Sequence, residues 1–160
     1  MKRIPLTRGK FTLVDDEDFE GLSCFNWQAM KCRSTFYAVR TAPTVGGKPK
    51  TILMHRALCS GPLDVDHKNG DGLDNQKENL RQATNRQNQG NARNRSDNTS
   101  GYKGVYWSEQ NKLWQAQIEF LGKHKHLGCF SSKVAAAKAY DAAAKEIFGE
   151  FSRLNFPAKV

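Results

Sequence analysis

The stretch Asp64–Asn88, DVDHKNGDGLDNQKENLRQATNRQN, presents no apolar face, and residues 89–100 beyond it contain no large apolar residue. Such a segment cannot bury enough surface to offset its own ordering entropy. A chain interrupted in this way does not close around one large core. Its 160 residues, 38% of them hydrophobic, allow one domain or two small ones. No apolar run approaches the length of a membrane span, and the N-terminus lacks the apolar stretch of a signal peptide. A cytoplasmic protein with no membrane partner is expected.

The net charge of +9 is unevenly spread: residues 1–60 carry ten Lys/Arg against five Asp/Glu, residues 61–100 six against six, and residues 101–160 nine against five. Two basic flanks around a neutral, carboxylate-bearing centre suit a polyanion gripped at both ends with a cation between the grips. Ordinary solubility would also produce basic flanks, but nucleic acid fits the central chemistry better. Cys24, Cys32, Cys59 and Cys129 are widely spaced with no C-x-x-C pair, which excludes a zinc knuckle and predicts buried small hydrophobes.

In chain order, Phe11-Thr12-Leu13-Val14 alternates like a strand, and Asp15-Asp16-Glu17-Asp18 suits the start of a short helix. Trp27–Met30 and Thr35–Arg40 read as strands around a turn at Lys31–Ser34, followed by a loop at Thr44–Pro49. Thr51–Leu53 reads as a strand leading into a short helix near His55–Cys59. This half predicts a small α+β platform over residues 1–60.

In the centre, Leu63–Val65 is a short apolar strand and Lys68-Asn69-Gly70-Asp71-Gly72 a turn-rich loop. Asp66 and an asparagine oxygen are hard ligands suited to Mg²⁺ or Mn²⁺. With an ordinary pKa of about 6.5, His67 is mostly neutral near pH 8 and able to accept a proton. Neighbours on an extended chain point oppositely, so a strand that ends here places base and ligand around a turn. By itself a D-H pair also fits a surface histidine beside a loop carboxylate.

The surroundings sharpen this. Asp66-His67, Asn79 twelve residues after the histidine and Asn88 nine further on, with Met54-His55-Arg56-Ala57-Leu58 upstream, resemble the HNH endonucleases. More closely, they resemble the H-N-N variant of phage and intron-encoded homing endonucleases. The resemblance implies a ββα-metal module over residues 61–92 in which His67 activates water and Asn79 orients it. It also implies that Asp66 and Asn88 ligate one divalent metal, Mg²⁺ or Mn²⁺. Asn75 competes with Asn79 for its role, and Asn85 and Asn91 compete with Asn88. An asparagine at the third motif position makes zinc ligation less suitable than Mg²⁺. His55 suits either support of the site or plain packing.

Residues 89–100 read as a linker, with Arg93 and Arg95 placed to follow phosphates or enter a minor groove. Beyond it, Trp114, Ala116, Ile118 and Phe120 alternate with Gln115, Gln117 and Glu119, a half-buried strand. Tyr102–Trp107 and Lys125–Phe130 flank it. Ser131-Ser132 offers an N-cap to an alanine-rich helix over Lys133–Phe148. Val134, Ala137, Ala144, Ile147 and Phe151 suggest its apolar stripe, and Asp141 with Lys145 an i,i+4 pair. Tyr102-Lys103-Gly104-Val105-Tyr106, Leu127-Gly128-Cys129-Phe130, Ala139-Tyr140-Asp141-Ala142-Ala143 and Leu154-Asn155-Phe156-Pro157 resemble the ethylene-response-factor (APETALA-two type) DNA-binding domain. That resemblance implies a sheet inserted into the major groove, with Lys103, Tyr106, Trp107, Gln115, Gln117, Lys123, His124 and His126 as contacts. Glu119 stands where that family often places an arginine, so the bases read must differ.

The expected fold class is α+β: a ββα-metal nuclease centre on a small platform, a basic linker at 93–100, then a three-stranded antiparallel sheet plus helix over 101–160. The expected function is a metal-dependent homing endonuclease acting on double-stranded DNA in a phage-infected bacterial host. As a monomer with one centre, it would nick one strand and leave a 3′-hydroxyl and a 5′-phosphate. The alternatives are a DNA-binding regulator that keeps a degenerate nuclease module and, on charge alone, an RNA-binding protein.

Overall fold

The computed structural model describes residues 1–157 apart from 33–34, 44–46, 48 and 95–96. The expected turn at Lys31–Ser34 and loop at Thr44–Pro49 therefore fall partly outside the described residues, and Arg95 lies wholly outside them. The chain forms two compact units, Met1–Thr84 and Asn85–Val160.

In the first unit, β1 (Lys2–Pro5) and β2 (Phe11–Val14) form an antiparallel hairpin. Helix α1 (Asp16–Ser23) follows, its first turn acidic as the helix dipole favours. Strands β3 (Gln28–Cys32), β4 (Thr35–Ala42) and β5 (Lys50–Leu53) form an antiparallel sheet with β4 central, and β5 runs into α2 (Met54–Leu58). Ile4, Leu6, Val14, Leu22, Trp27, Ala29, Ala38 and Met54 make the core, and Trp27 donates its indole N–H to the Leu22 carbonyl at 2.8 Å. Strand β1 had no sequence signal: only Ile4 of its four residues is buried, too little for alternation to show.

The central strand runs later than Leu63–Val65. Strand β6 (Asp64–His67) pairs antiparallel with β7 (Leu80–Ala83), setting Asp66 opposite Arg81 and His67 opposite Leu80. Because the strand continues through both residues, Asp66 and His67 point to opposite faces instead of flanking a turn.

In the second unit, α3 (Asn85–Asn91) precedes an antiparallel sheet of β8 (Val105–Ser108), β9 (Leu113–Phe120) and β10 (Lys123–Phe130), with β9 central. Helix α4 (Lys133–Phe148) covers one face. The Ser132 hydroxyl caps it by accepting from the Val134 N–H at 3.2 Å. The buried stripe is Ala136, Ala137, Tyr140, Ala144 and Phe148, displaced from the predicted one, and Val134 is 37% exposed. Alanines carry little directional signal, and Tyr140 sets the phase. The expected Asp141–Lys145 pair gives way to a different use of the carboxylate: Asp141 accepts the backbone N–H groups of Asn155 and Phe156, each at 2.8 Å. That ties the C-terminal segment to the helix. Nor are the cysteines buried: Cys24, Cys32 and Cys129 are exposed and Cys59 half-buried. They lie at a helix end and on outward strand positions that no core reaches.

Candidate functional site

The loop between β6 and β7 is built by its own polar side chains. Asn69 donates from Nδ2 to Asp74 Oδ2 at 2.7 Å, its Oδ1 accepts the Asp71 N–H at 2.8 Å, and Asp71 Oδ1 accepts the Leu73 N–H at 3.0 Å. Such bonds let Asn and Asp substitute for backbone pairing in turns. The Lys68 N–H to Asn79 carbonyl bond closes the loop at 2.9 Å.

Asn79 sits at that closure. Its Oδ1 accepts the Asn69 N–H at 3.0 Å and its Nδ2 donates to the Asp74 carbonyl at 2.7 Å. The side chain that reaches the histidine is that of Asn75, whose Oδ1 lies 3.3 Å from His67 Nε2. Asn75 and His67 are 1% and 4% exposed. Burial holds the His67 imidazole below its ordinary pKa, while the bond to Asn75 and the carboxylate of Asp66 act in the opposite direction. At neutral pH it is an uncharged proton acceptor.

The ring is wedged among aromatic neighbours. His55 meets it edge-on at 5.0 Å between centroids, and Tyr37 lies 5.7 Å from it and 5.2 Å from His55. His55 is 6% exposed, and its Nδ1 has no hydrogen-bond partner among the described residues. Its pKa is lowered to about 3, first by burial, then by His67 and Arg56, against the pull of Asp64. Unfolding raises that value toward 6.5, so the unfolded chain binds the extra proton between these limits. The stability due to neutral His55 is complete above pH 6.5 and declines as pH falls toward 3. Urea unfolding between pH 7 and 4 is expected to lose up to about 1.4 kcal/mol per pH unit from this residue, and His55→Phe to flatten the slope.

Asp66, on the other face of β6, accepts from Arg81 Nε at 3.0 Å and pairs with Nη2 at 2.9 Å. Arg81 was not foreseen, although its place opposite Asp66 follows once the loop's closure is known. Tyr37 and Thr12 gave no signal, since they reach the site from distant strands.

Asn88 belongs to α3 in the second unit, and its Oδ1 is buried with no hydrogen-bond partner among the described residues. Asn85 is exposed and Asn91 buried. Among the described residues no group of three His, Cys, Asp or Glu side chains could hold a metal. The Asp66 carboxylate in the first unit and the Asn88 amide oxygen in the second are each the kind of hard oxygen donor that Mg²⁺ takes.

In the second unit, Gln115 and Gln117 of β9 lie on the face away from α4. They share it with their cross-strand partners, Tyr106 for Gln115 and His126 for Gln117, and with the Glu119–His124 pair. Tyr106 donates its hydroxyl proton to Gln115 Oε1 at 2.6 Å. Trp107 sits opposite Trp114, ring centroids 5.2 Å apart, and Lys123 opposite Phe120; both belong to the helix side of the sheet. Lys103 is drawn inward, donating from Nζ to the Gly90 carbonyl at 2.7 Å, and burial lowers its pKa to about 8. Arg93 is exposed.

The HNH endonuclease family model matches residues 59–89. The chain is 30% identical over 111 residues to Protein 3.8 of Escherichia phage T7, spanning 67% of this chain and 91% of that protein. It is 47% identical over 58 residues to Dehydration-responsive element-binding protein 2C of Arabidopsis thaliana, spanning 35% of this chain and 17% of that protein. No solved structure matches. No helix among the described residues is long and apolar enough to cross a membrane.

Proposed function

We propose, given that the chain belongs to the family of phage T7 Protein 3.8 and contains an HNH endonuclease domain, that it is a homing-type endonuclease that nicks duplex DNA. The observation that carries this reading is His67, buried, held neutral and fixed by Asn75 inside the matched segment. His67 accepts the proton of a water whose oxygen bonds to phosphorus. The bond from phosphorus to the 3′ oxygen breaks, and that oxygen takes up a proton. The products are a 3′-hydroxyl and a 5′-phosphate. Asn75 takes the orienting role, and Asn79 holds the loop closed around it. Asp66 and Asn88, the ligand positions that the resemblance implies, would hold a divalent cation, which would neutralise phosphate charge when bound. Arg81 fixes the Asp66 carboxylate and limits its rotation.

The outer face of the β8–β9–β10 sheet suits a major groove, with Tyr106, Gln115, Gln117, His124 and His126 offered to base edges and phosphates. The plant relative is named as an element-binding protein, which supports a DNA-reading role for this unit. Arg93 and Arg95 follow the backbone. The chain acts as a monomer in the cytoplasm of an infected bacterium, a setting the phage relative supports.

Supercoiled plasmid is expected to convert to open circle with Mg²⁺ or Mn²⁺ and to remain intact in EDTA, where gel shifts still show binding. Coordinated cutting of both strands would remove the nicking assignment. The second reading, a DNA-binding regulator with a degenerate centre, is favoured by the Arg81 guanidinium occupying Asp66 Oδ2. Tight duplex binding without nicking under either cation would establish it.

A further inference from the structure

We propose that Thr12, on the N-terminal hairpin and outside the HNH-matched segment, is a positioning residue that sets which ring nitrogen of His67 carries the proton. The inference rests on the nuclease reading for its consequence and on hydrogen-bond chemistry for its content.

Thr12 Oγ1 lies 2.6 Å from the Leu73 carbonyl oxygen. A carbonyl oxygen only accepts, so the single hydroxyl proton of Thr12 points there. The Met54 sulfur at 4.0 Å is a far weaker alternative acceptor. With its proton committed, Thr12 Oγ1 has only lone pairs to offer the other neighbour in reach, the Asn75 amide at 2.7 Å. The amide group facing Thr12 must therefore be the NH₂, and the amide oxygen must face His67. His67 Nε2, 3.3 Å from that oxygen, is then the protonated nitrogen. Nδ1 is left as the basic one.

The relay is rigidly seated. Thr12 is fully buried and Asn75 is 1% exposed, so the amide's alternatives are other protein groups. Its backbone is pinned as well: the Asn75 N–H donates to the Leu13 carbonyl at 2.9 Å, and the Leu13 N–H to the Leu73 carbonyl at 2.8 Å. The backbone of Leu13, next to Thr12, thus holds residues 73 and 75 on either side of Asp74, through a parallel bridge between Leu13 and Asp74. Nothing in the central motif requires a hydroxyl eleven residues from the N-terminus. The amide it orients does.

Thr12→Val keeps the side-chain shape and removes the acceptor. A buried N–H without a partner is rarer than an under-satisfied carbonyl, so the amide is expected to turn its NH₂ toward His67. Nε2 must then accept, and the proton moves to Nδ1. Long-range ¹H–¹⁵N spectra of the imidazole at pH 8 read the tautomer directly. The wild type is expected to show His67 protonated on Nε2, Thr12→Val to populate the Nδ1-protonated form, and Thr12→Ser to restore the first. In the plasmid assay the valine variant should lose roughly tenfold in kcat with KM unchanged, and the serine variant should recover. Thermal denaturation of all three separates this from loss of fold.

A wild-type His67 protonated on Nδ1 would overturn the proposal without any variant. So would a valine variant that keeps both the Nε2 proton and the wild-type kcat. If the wild type nicks no DNA, the nuclease reading falls by itself, and the spectra still decide what Thr12 does.

Discussion

His67→Ala is expected to slow metal-dependent nicking by about 10²–10⁴-fold, the usual contribution of a positioned proton acceptor, while leaving duplex affinity unchanged. The loss should exceed that of any other single change in the first unit, because no neighbour can substitute. His55 is the nearest imidazole, yet its pKa of about 3 makes it a poor base and its ring lies edge-on to His67. Tyr37 in its ordinary state donates a proton. Asp66 is on the opposite face of β6, committed to Arg81. Affinity should survive because the outer face of the β8–β9–β10 sheet lies in the second compact unit, whereas His67 belongs to the first. Removing the ring leaves a cavity bounded by His55 and Tyr37, so circular dichroism must accompany the assay. Added imidazole, which fits that cavity, is expected to restore part of the rate in the alanine variant. Unchanged nicking by a folded His67→Ala protein would remove His67 from the chemistry.

The site was half legible in the sequence, and the half that was missed is tertiary. The polar run after Asp64 announced a loop built on Asn and Asp turns, since local side-chain-to-backbone bonds follow from residue type and short spacing. The choice between Asn75 and Asn79 did not follow. Both lie in the loop, and only its closure through Lys68 and Asn79 turns Asn75 toward His67. Thr12 and Tyr37 come from β2 and β4, and Thr12 meets Asn75 across 63 positions, a distance at which no periodicity carries information. In the second unit the alternation from Leu113 to Phe120 gave both faces of β9, because a strand's period fixes its sides. It could not give the fate of Lys103, which reads as a surface cation. It is turned inward by carbonyls near the end of α3, that of Gly90 at 2.7 Å and that of Gln89 at 3.5 Å.

Gly104→Ala is expected to unfold the second unit selectively, with the largest stability effect of any single methyl group added there. Gly104 has φ of +73°, a conformation that side chains other than glycine's adopt only with strain. A Cβ at this position would come within 2.0 Å of Tyr140 Cδ2 and 2.6 Å of the Gln117 carbonyl. Neither can move freely: Tyr140 is 4% exposed in the centre of the α4 stripe, and the Gln117 carbonyl accepts its place in the ladder beside Gly104, whose own carbonyl takes the Gln117 N–H at 2.8 Å. Backbone strain and overpacking together come to about 3 kcal/mol or more, which for a unit this small lowers Tm by roughly 10–20 °C. Hydrogen exchange resolves where the loss falls. Amides of β9 and α4 should lose protection while those of β4, in the first unit, keep theirs. The variant should also lose duplex binding in gel shifts, since Gln115, Gln117, His124 and His126 share a face only while β9 and β10 stay paired. Full protection of β9 in Gly104→Ala would mean that Tyr140 has another place to go, and the tight strand-to-helix contact at the centre of this unit would have to be redrawn.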